Sequence, residues 1–258
     1  MNRIDLSGRS AIVTGGAQGT ALAVAQAIAA AGGNVMLAMR SQKAANTAAA
    51  VVGGNAVGIA AHAVDQAAVQ RCVEAAVDRF GSVDILVNAS GTNHTHGRVT
   101  DQDYMRFTKT FGVNLWAPIL WTSVVTRTWM SEHGGVVINT IDGTGSEGGL
   151  GLYGASNAAL IHLTEELAVE LSPTVRVNAV VVGVAGFEHT ESATILTRTG
   201  ELDDIGDAVA SLASETERWV TGQTMVIVGD GGLRSAPRPQ EPTEDTPAQL
   251  DRWAAPRP

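Results

Sequence analysis

Cysteine, proline and aromatic side chains are scarce in this chain. Cys72 is the single thiol among 258 residues. An intrachain disulfide framework and a cysteine-built zinc site are therefore both excluded, and the composition suits a reducing cytoplasm. Cys72 falls in the apolar-periodic run 69–77 and reads as a core residue. Only Pro118 and Pro173 precede residue 235, which leaves long stretches free to form regular structure. Basic residues are outnumbered, with 17 Lys and Arg against 26 Asp and Glu. The resulting net charge of −9 argues against nucleic acid as a partner, because such binders need clustered cations to displace counterions. No apolar run reaches the ~18 residues of a spanning helix, and none precedes the first strand. The expectation is a protein that is neither membrane-embedded nor secreted.

What is present is apolar and periodic: 45% of the residues are hydrophobic, enough for one sizeable α/β core. Short β-rich runs at 10–13, 34–38, 58–61, 85–88, 136–140, 175–181 and 224–228 alternate with helical patterns at 20–31, 44–51, 67–80, 104–125, 153–171 and 205–213. That alternation predicts a doubly wound, Rossmann-type parallel sheet of about seven strands with helices on both faces. Residues 1–234 form the expected single domain. The run 235–258 holds six of the eight prolines among Glu, Asp, Gln and Arg, and reads as a disordered tail in which Trp253 is a stray aromatic or a docking residue.

The first strand runs into Thr14-Gly15-Gly16-Ala17-Gln18-Gly19-Thr20-Ala21 and then into a helix. Glycines at such a junction permit positive φ and close backbone approach, so backbone N–H groups and the helix N-terminus can face a pyrophosphate. At the end of the second strand stand Arg40 and Ser41, with no acidic side chain to bind ribose hydroxyls. An arginine there can pair with a 2′-phosphate and a serine can add a hydroxyl, which favours NADP(H). The alternative is an exposed arginine at a strand end.

The turn resembles the TGxxxGxG pattern of the short-chain dehydrogenase/reductase family, with Ala21 at the last glycine. Further motifs are similar to those of the family in the same order. They are Asp84-Ile85-Leu86-Val87-Asn88-Ala89-Ser90-Gly91, the helix asparagine Asn114, Arg176-Val177-Asn178-Ala179-Val180-Val181-Val182-Gly183, Thr221-Gly222-Gln223 and Asp230-Gly231-Gly232. The resemblance spans residues 4–234. It implies a dinucleotide site at Thr14, Gly15, Gln18, Gly19, Thr20, Arg40, Ser41, His62, Asn88, Gly91, Asn157 and Gly183, where His62 occupies a position that is usually Asp. It also implies a homodimer or homotetramer through helices 104–125 and 153–171, with Trp116, Trp121 and Trp129 on or near the first of them.

Departure from the family is greatest at the catalytic helix. Family members carry Tyr-x-x-x-Lys, so that both side chains share a helix face, together with a serine from the preceding strand end. This chain has Tyr153 and Asn157. The serine position falls on Thr140 if the stretch aligns without gaps, or on Asp142 if two residues are deleted. The family lysine lowers the tyrosine pKa and holds the nicotinamide ribose, whereas asparagine donates hydrogen bonds without charge. A tyrosine left near a pKa of about 10 is only about one part in a thousand phenolate at pH 7, a deficit of roughly 4 kcal/mol for general-base work. Alcohol oxidation is expected to suffer most, while a neutral phenol remains able to donate a proton to a carbonyl.

Two polar loops leave carboxyl ends of strands, His94-Thr95-His96 and Glu188-His189-Thr190-Glu191. Either can face a small-molecule substrate or be simply solvated, and the His pair lacks a third ligand at metal-binding spacing. Three functions stay open. The first is a slow NADP(H)-dependent carbonyl reductase with Tyr153, Asn114, Thr140, Asp142 and Asn157 as candidate catalytic residues. The second is a cyclase, dehydratase or isomerase on the same scaffold, and the third is a binding subunit without catalysis.

Overall fold

The structure is a computed structural model, which describes residues 4–143, 149–183 and 201–227. Seven strands form one sheet: β1 (Ser10–Thr14), β2 (Asn34–Met39), β3 (Val57–Ala60), β4 (Ile85–Asn88), β5 (Gly135–Asp142), β6 (Val175–Val182) and β7 (Thr224–Ile227). Their order is β3-β2-β1-β4-β5-β6-β7, and every neighbouring pair is parallel. A parallel sheet is covered on both faces, which explains why the central strands read as continuous apolar runs; all five residues of β1 are buried.

Each crossover carries a helix that covers one face. α1 (Gly19–Ala30) and, near the end of the described chain, α8 (Leu202–Ala213) pack on each other through small residues. A Cβ at Gly206 would stand 2.8 Å from the Ala23 carbonyl oxygen. With Val13, Leu37, Val87 and Ile138 of the sheet, their Val24, Ile28, Ile205 and Val209 form one core. The opposite face is covered by α3 (Gln66–Phe80) and α5 (Ala117–Val125). There Val69, Cys72, Val73, Trp121 and Val125 pack on Ile12, Met36, Leu86 and Val137. α2 (Gln42–Val52) lies so close to β3 that a side chain at Gly58 would meet the Ala45 carbonyl carbon at 2.2 Å.

The helical run expected at 104–125 is longer and interrupted. It consists of α4 (Tyr104–Phe111), a π-helical turn (Gly112–Trp116), α5, a second π turn (Thr126–Met130) and α6 (Ser131–His133). Pro118 has no N–H to give to the carbonyl four residues back, that of Asn114, and a π turn accommodates the missing α-helical bond. After β5 the chain enters α7 (Gly151–Glu170), two residues earlier than the periodicity indicates. β5 itself runs two residues past the expected end, and this extension places Asp142 opposite Val182 of β6.

Candidate active site

Strand order reverses between β1 and β4, the place where open α/β sheets bind ligands beyond the carboxyl ends of their strands. A cleft of about 1190 Å³ opens there. Of the sequence-predicted residues it brings together Gly15, Gln18, Thr20, Arg40, His62, Asn88, Gly91, Asn114, Thr140, Asp142, Tyr153 and Asn157. Thr14, Gly19, Ser41 and Gly183 stand outside its lining.

The first half of the cleft is a turn made for an anion. Gly15 and Gly16 have φ of +83° and +116°, and a Cβ on Gly15 would stand 3.1 Å from the Ala89 carbonyl oxygen. Gly19 has φ of +64° with nothing within 4 Å of its missing Cβ. The N-cap of α1 is Gln18, whose side chain makes no capping bond, and the first turn has no acidic residue. The leading N–H groups of α1 are thus left for an external acceptor, the arrangement that holds phosphates. Thr14, at the end of β1, ties this turn's strand to the loop after β4: its hydroxyl accepts from the backbone N–H of Ala89 at 3.0 Å and of Ser90 at 3.2 Å. Arg40 and His62 close this end. Arg40 is exposed, and among the described residues no carboxylate pairs with it. The Ser41 hydroxyl caps α2 by accepting from the Ala44 N–H at 3.4 Å, and the Gly183 N–H donates to the Ile227 carbonyl at 2.8 Å. Ser41 and Gly183 thus carry structural roles at strand ends, the first capping α2 and the second joining the end of β6 to β7.

The second half of the cleft holds the catalytic candidates. Tyr153 is buried near the start of α7, and its phenol donates a 2.5 Å hydrogen bond to Asp142 Oδ2. Asn157, one turn along, donates through Nδ2 to the Asp142 backbone carbonyl at 3.0 Å. Thr140 lines the cleft too, but its hydroxyl donates to the Asn88 carbonyl at 3.2 Å. Of the two readings for the serine position, Asp142 is the residue that meets Tyr153. Burial holds the Tyr153 pKa well above the ordinary phenol value. The hydrogen bond to Asp142 and that residue's negative charge add to the rise, and Asn157 opposes it. A lysine partner would act in the opposite sense.

Asn114 sits in the first π turn and is buried. Its side chain donates to the Thr92 carbonyl and to Ser156 Oγ, both at 3.0 Å, and accepts from the Thr92 N–H at 2.9 Å. Ser156 in turn donates to the Tyr153 carbonyl at 2.7 Å. This chain of bonds ties the loop after β4 to α7, and Ser156 was not singled out by sequence. Asn139 was also missed: it accepts from Asn88 Nδ2 and donates to Thr164 Oγ1, each at 2.9 Å. Its signal is a polar residue inside the apolar run of β5. Lys109 of α4 also faces the cleft; its position five residues before Asn114 offered the only clue.

His94 lines the cleft whereas His96 does not. Among the described residues no group of three or more His, Cys, Asp or Glu side chains is placed to hold a metal. The 188–191 loop, the Asp230-Gly231-Gly232 motif and Trp253 lie outside the described residues.

A Rossmann sheet with a glycine cradle at its switch point and a Tyr153–Asn114 pair beside it defines a nucleotide-binding oxidoreductase scaffold. Comparisons with known proteins agree. A family model described as enoyl-(acyl carrier protein) reductase matches residues 15–234. Human dehydrogenase/reductase SDR family member 4 is 30% identical over 249 residues, covering 89% of this chain and 90% of the relative. The 3-oxoacyl-(acyl-carrier-protein) reductase of Escherichia coli is 31% identical over 242 residues, with coverage of 88% and 98%. A crystal structure of a 3-ketoacyl-(acyl-carrier-protein) reductase from Brucella melitensis complexed with NADH superimposes with a TM-score of 0.81 at 28% identity, covering 87% of this chain and 98% of that one. The chain belongs to the short-chain dehydrogenase/reductase family.

Proposed function

We propose that this protein is an NADP(H)-dependent carbonyl reductase of a small organic substrate, slowed by its altered catalytic tetrad. The observation that carries the reading is Tyr153. Burial and Asp142 keep its phenol protonated in the same cleft as an uncapped helix N-terminus and an arginine that has no carboxylate partner among the described residues. The glycine cradle and the α1 N-terminus fit a pyrophosphate, and Arg40 fits a 2′-phosphate. A bound dinucleotide supplies the hydride; this chain supplies the proton. Tyr153 donates it to the carbonyl oxygen, and Asn114 and Ser156 hold the helix that carries Tyr153. Asn157 replaces a cation with a neutral amide beside the reacting phenol.

At fixed pH the overall equilibrium sets the ratio of kcat/KM in the two directions, so losing the cation slows both in proportion. Resting protonation decides how each direction starts. With its phenol intact the enzyme enters reduction in the reactive form, whereas oxidation must wait for a rare phenolate. Asp142 adds to the slowness, because donation leaves a phenolate beside a carboxylate. A like charge at that range shifts a pKa by about 1–3 units, or about 1.4–4 kcal/mol, and the solvent exposure of Asp142 places the effect at the low end.

The reading extends to assembly and location. Tyr104, Met105 and Trp116 are exposed along α4 and the following turn, as is Val169 on α7. Large apolar side chains on two neighbouring helices support a homodimer or homotetramer built through them. Among the described residues no helix is long and apolar enough to cross a membrane, and the single buried thiol suits the cytoplasm. The described part of residues 1–234 is taken as a single domain, and the run 235–258 lies outside the described residues.

Calorimetric titration with NADPH tests the cofactor, and NADPH oxidation with a panel of carbonyl compounds tests the reaction. Asn157→Lys should raise turnover on that panel. Absence of NADPH binding at millimolar concentration contradicts the reading.

A further inference from the structure

We propose that Asp142 and Tyr153 together catalyse proton transfer at the carbon next to a carbonyl, an enolisation that needs no dinucleotide. Two oxygens with complementary roles sit side by side in the cleft: the Asp142 carboxylate accepts and the Tyr153 phenol donates, 2.5 Å apart. A carbonyl oxygen and its α-carbon are only two bonds apart, so one ketone can present both atoms to this pair at once. Asp142 is solvent-exposed and lines the cleft, and only its Oδ2 is engaged by the phenol. Among the described residues no hydrogen bond reaches the other oxygen, which leaves it to the ligand.

The step balances without a co-reactant. The α-carbon–hydrogen bond breaks and its proton passes to a carboxylate oxygen of Asp142. The electron pair forms the carbon–carbon double bond and shifts the carbonyl π pair onto oxygen, where the Tyr153 hydroxyl stabilises the enolate by donating a hydrogen bond. Return of a proton from Asp142 to the same or a conjugated carbon completes an exchange or an isomerisation. Burial suits Tyr153 to this role, because a phenol that resists ionisation remains a donor. Asn157 suits it as well: a cation there would compete for the Asp142 carboxylate, whereas the neutral amide binds only its backbone carbonyl. Lys109 and His94 also line the cleft. Replacing either leaves the donor–acceptor pair intact.

The experiment follows loss of α-proton signal by NMR when the full chain is incubated in deuterium oxide, without nucleotide, with cyclohexanone, acetophenone and cyclohex-3-enone as probes. The wild type should accelerate exchange above the buffer rate on at least one probe. Asp142→Asn should lower the enzymatic rate by about 10²-fold or more, the usual contribution of a general base. Tyr153→Phe should lower it by about 10²–10³-fold, as loss of an enolate donor does. Circular dichroism and melting temperature check that both variants fold, and Asp142→Glu, which keeps a carboxylate, should restore part of the rate. No acceleration by the wild type, or undiminished exchange in folded Asp142→Asn, overturns the inference. NADPH oxidation measured on the same probes separates the two proposals. Reduction without exchange removes the enolisation and leaves the reductase, and exchange without reduction does the reverse.

Discussion

Replacing Asp142 by asparagine should make Tyr153 a stronger acid while leaving its packing in place. Burial, the hydrogen bond to Asp142 and the charge of that carboxylate all raise the phenol pKa, with burial the largest cause. The substitution keeps the burial and removes the charge. A like charge at hydrogen-bond range shifts a pKa by about 1–3 units, but Asp142 is exposed and water screens it, so about one unit, or about 1.4 kcal/mol, is expected. The chain has two tyrosines, so a Tyr104→Phe background leaves Tyr153 as the sole phenol. Phenolate absorbance in an alkaline titration then reports it alone, with circular dichroism marking the pH range in which the fold persists. The parent should titrate above about 10, and Asp142→Asn about one unit lower. Adding Asn157→Lys should lower it by about one to three units more, as an ammonium within a helical turn of a phenol does. A parent midpoint at or below the ordinary value, or an upward shift in Asp142→Asn, would refute the reasoning.

Three further outcomes follow from the same structure. Arg40→Asp should weaken NADPH binding by about 10–100-fold in calorimetry and shift preference toward NADH, because a charge-assisted contact to the 2′-phosphate contributes about 1.5–3 kcal/mol. Trp121 is fully buried and its indole donates to the Ala63 carbonyl at 3.1 Å; Trp121→Ala should cost about 3–5 kcal/mol in a denaturant titration. Burial pushes the Cys72 thiol up to about 12, so thiol reagents should label the native protein at neutral pH far more slowly than the unfolded chain. An unfolded thiol ionises near 8.5 and the folded one does not. Stability from this group is therefore full below about 8.5 and falls between there and about 12, by up to about 1.4 kcal/mol per pH unit.

The sheet was legible because buried parallel strands leave an unbroken apolar signature, and all seven appeared within a few residues of their observed bounds. β5 was cut short at Thr140 because Asp142 reads as a loop residue. In fact it is the exposed end of a strand; Thr140 and Asp142 stayed as alternatives because the serine position depends on whether a two-residue gap precedes Tyr153. Helix periodicity averages over several turns, so the π turn carrying Asn114 escaped notice although Pro118 marked it. Glycine spacing located the positive-φ turn between β1 and α1, yet it did not reveal that the Ser41 hydroxyl also caps α2. Ser156 and Asn139 act through partners 42 and 51 residues away. No local pattern encodes such bonds, and they emerge only when the helices dock on the sheet.

The pH profile of NADPH-dependent carbonyl reduction tests the central claim most directly, since that claim is that Tyr153 works as an acid that stays protonated. With the best substrate of the panel, kcat/KM for reduction should stay level from neutral pH to beyond about 10, while kcat/KM for the reverse oxidation climbs about tenfold per pH unit over the same range. A reductive limb that falls with a midpoint well below that value would mean that Tyr153 ionises easily, and would contradict the account.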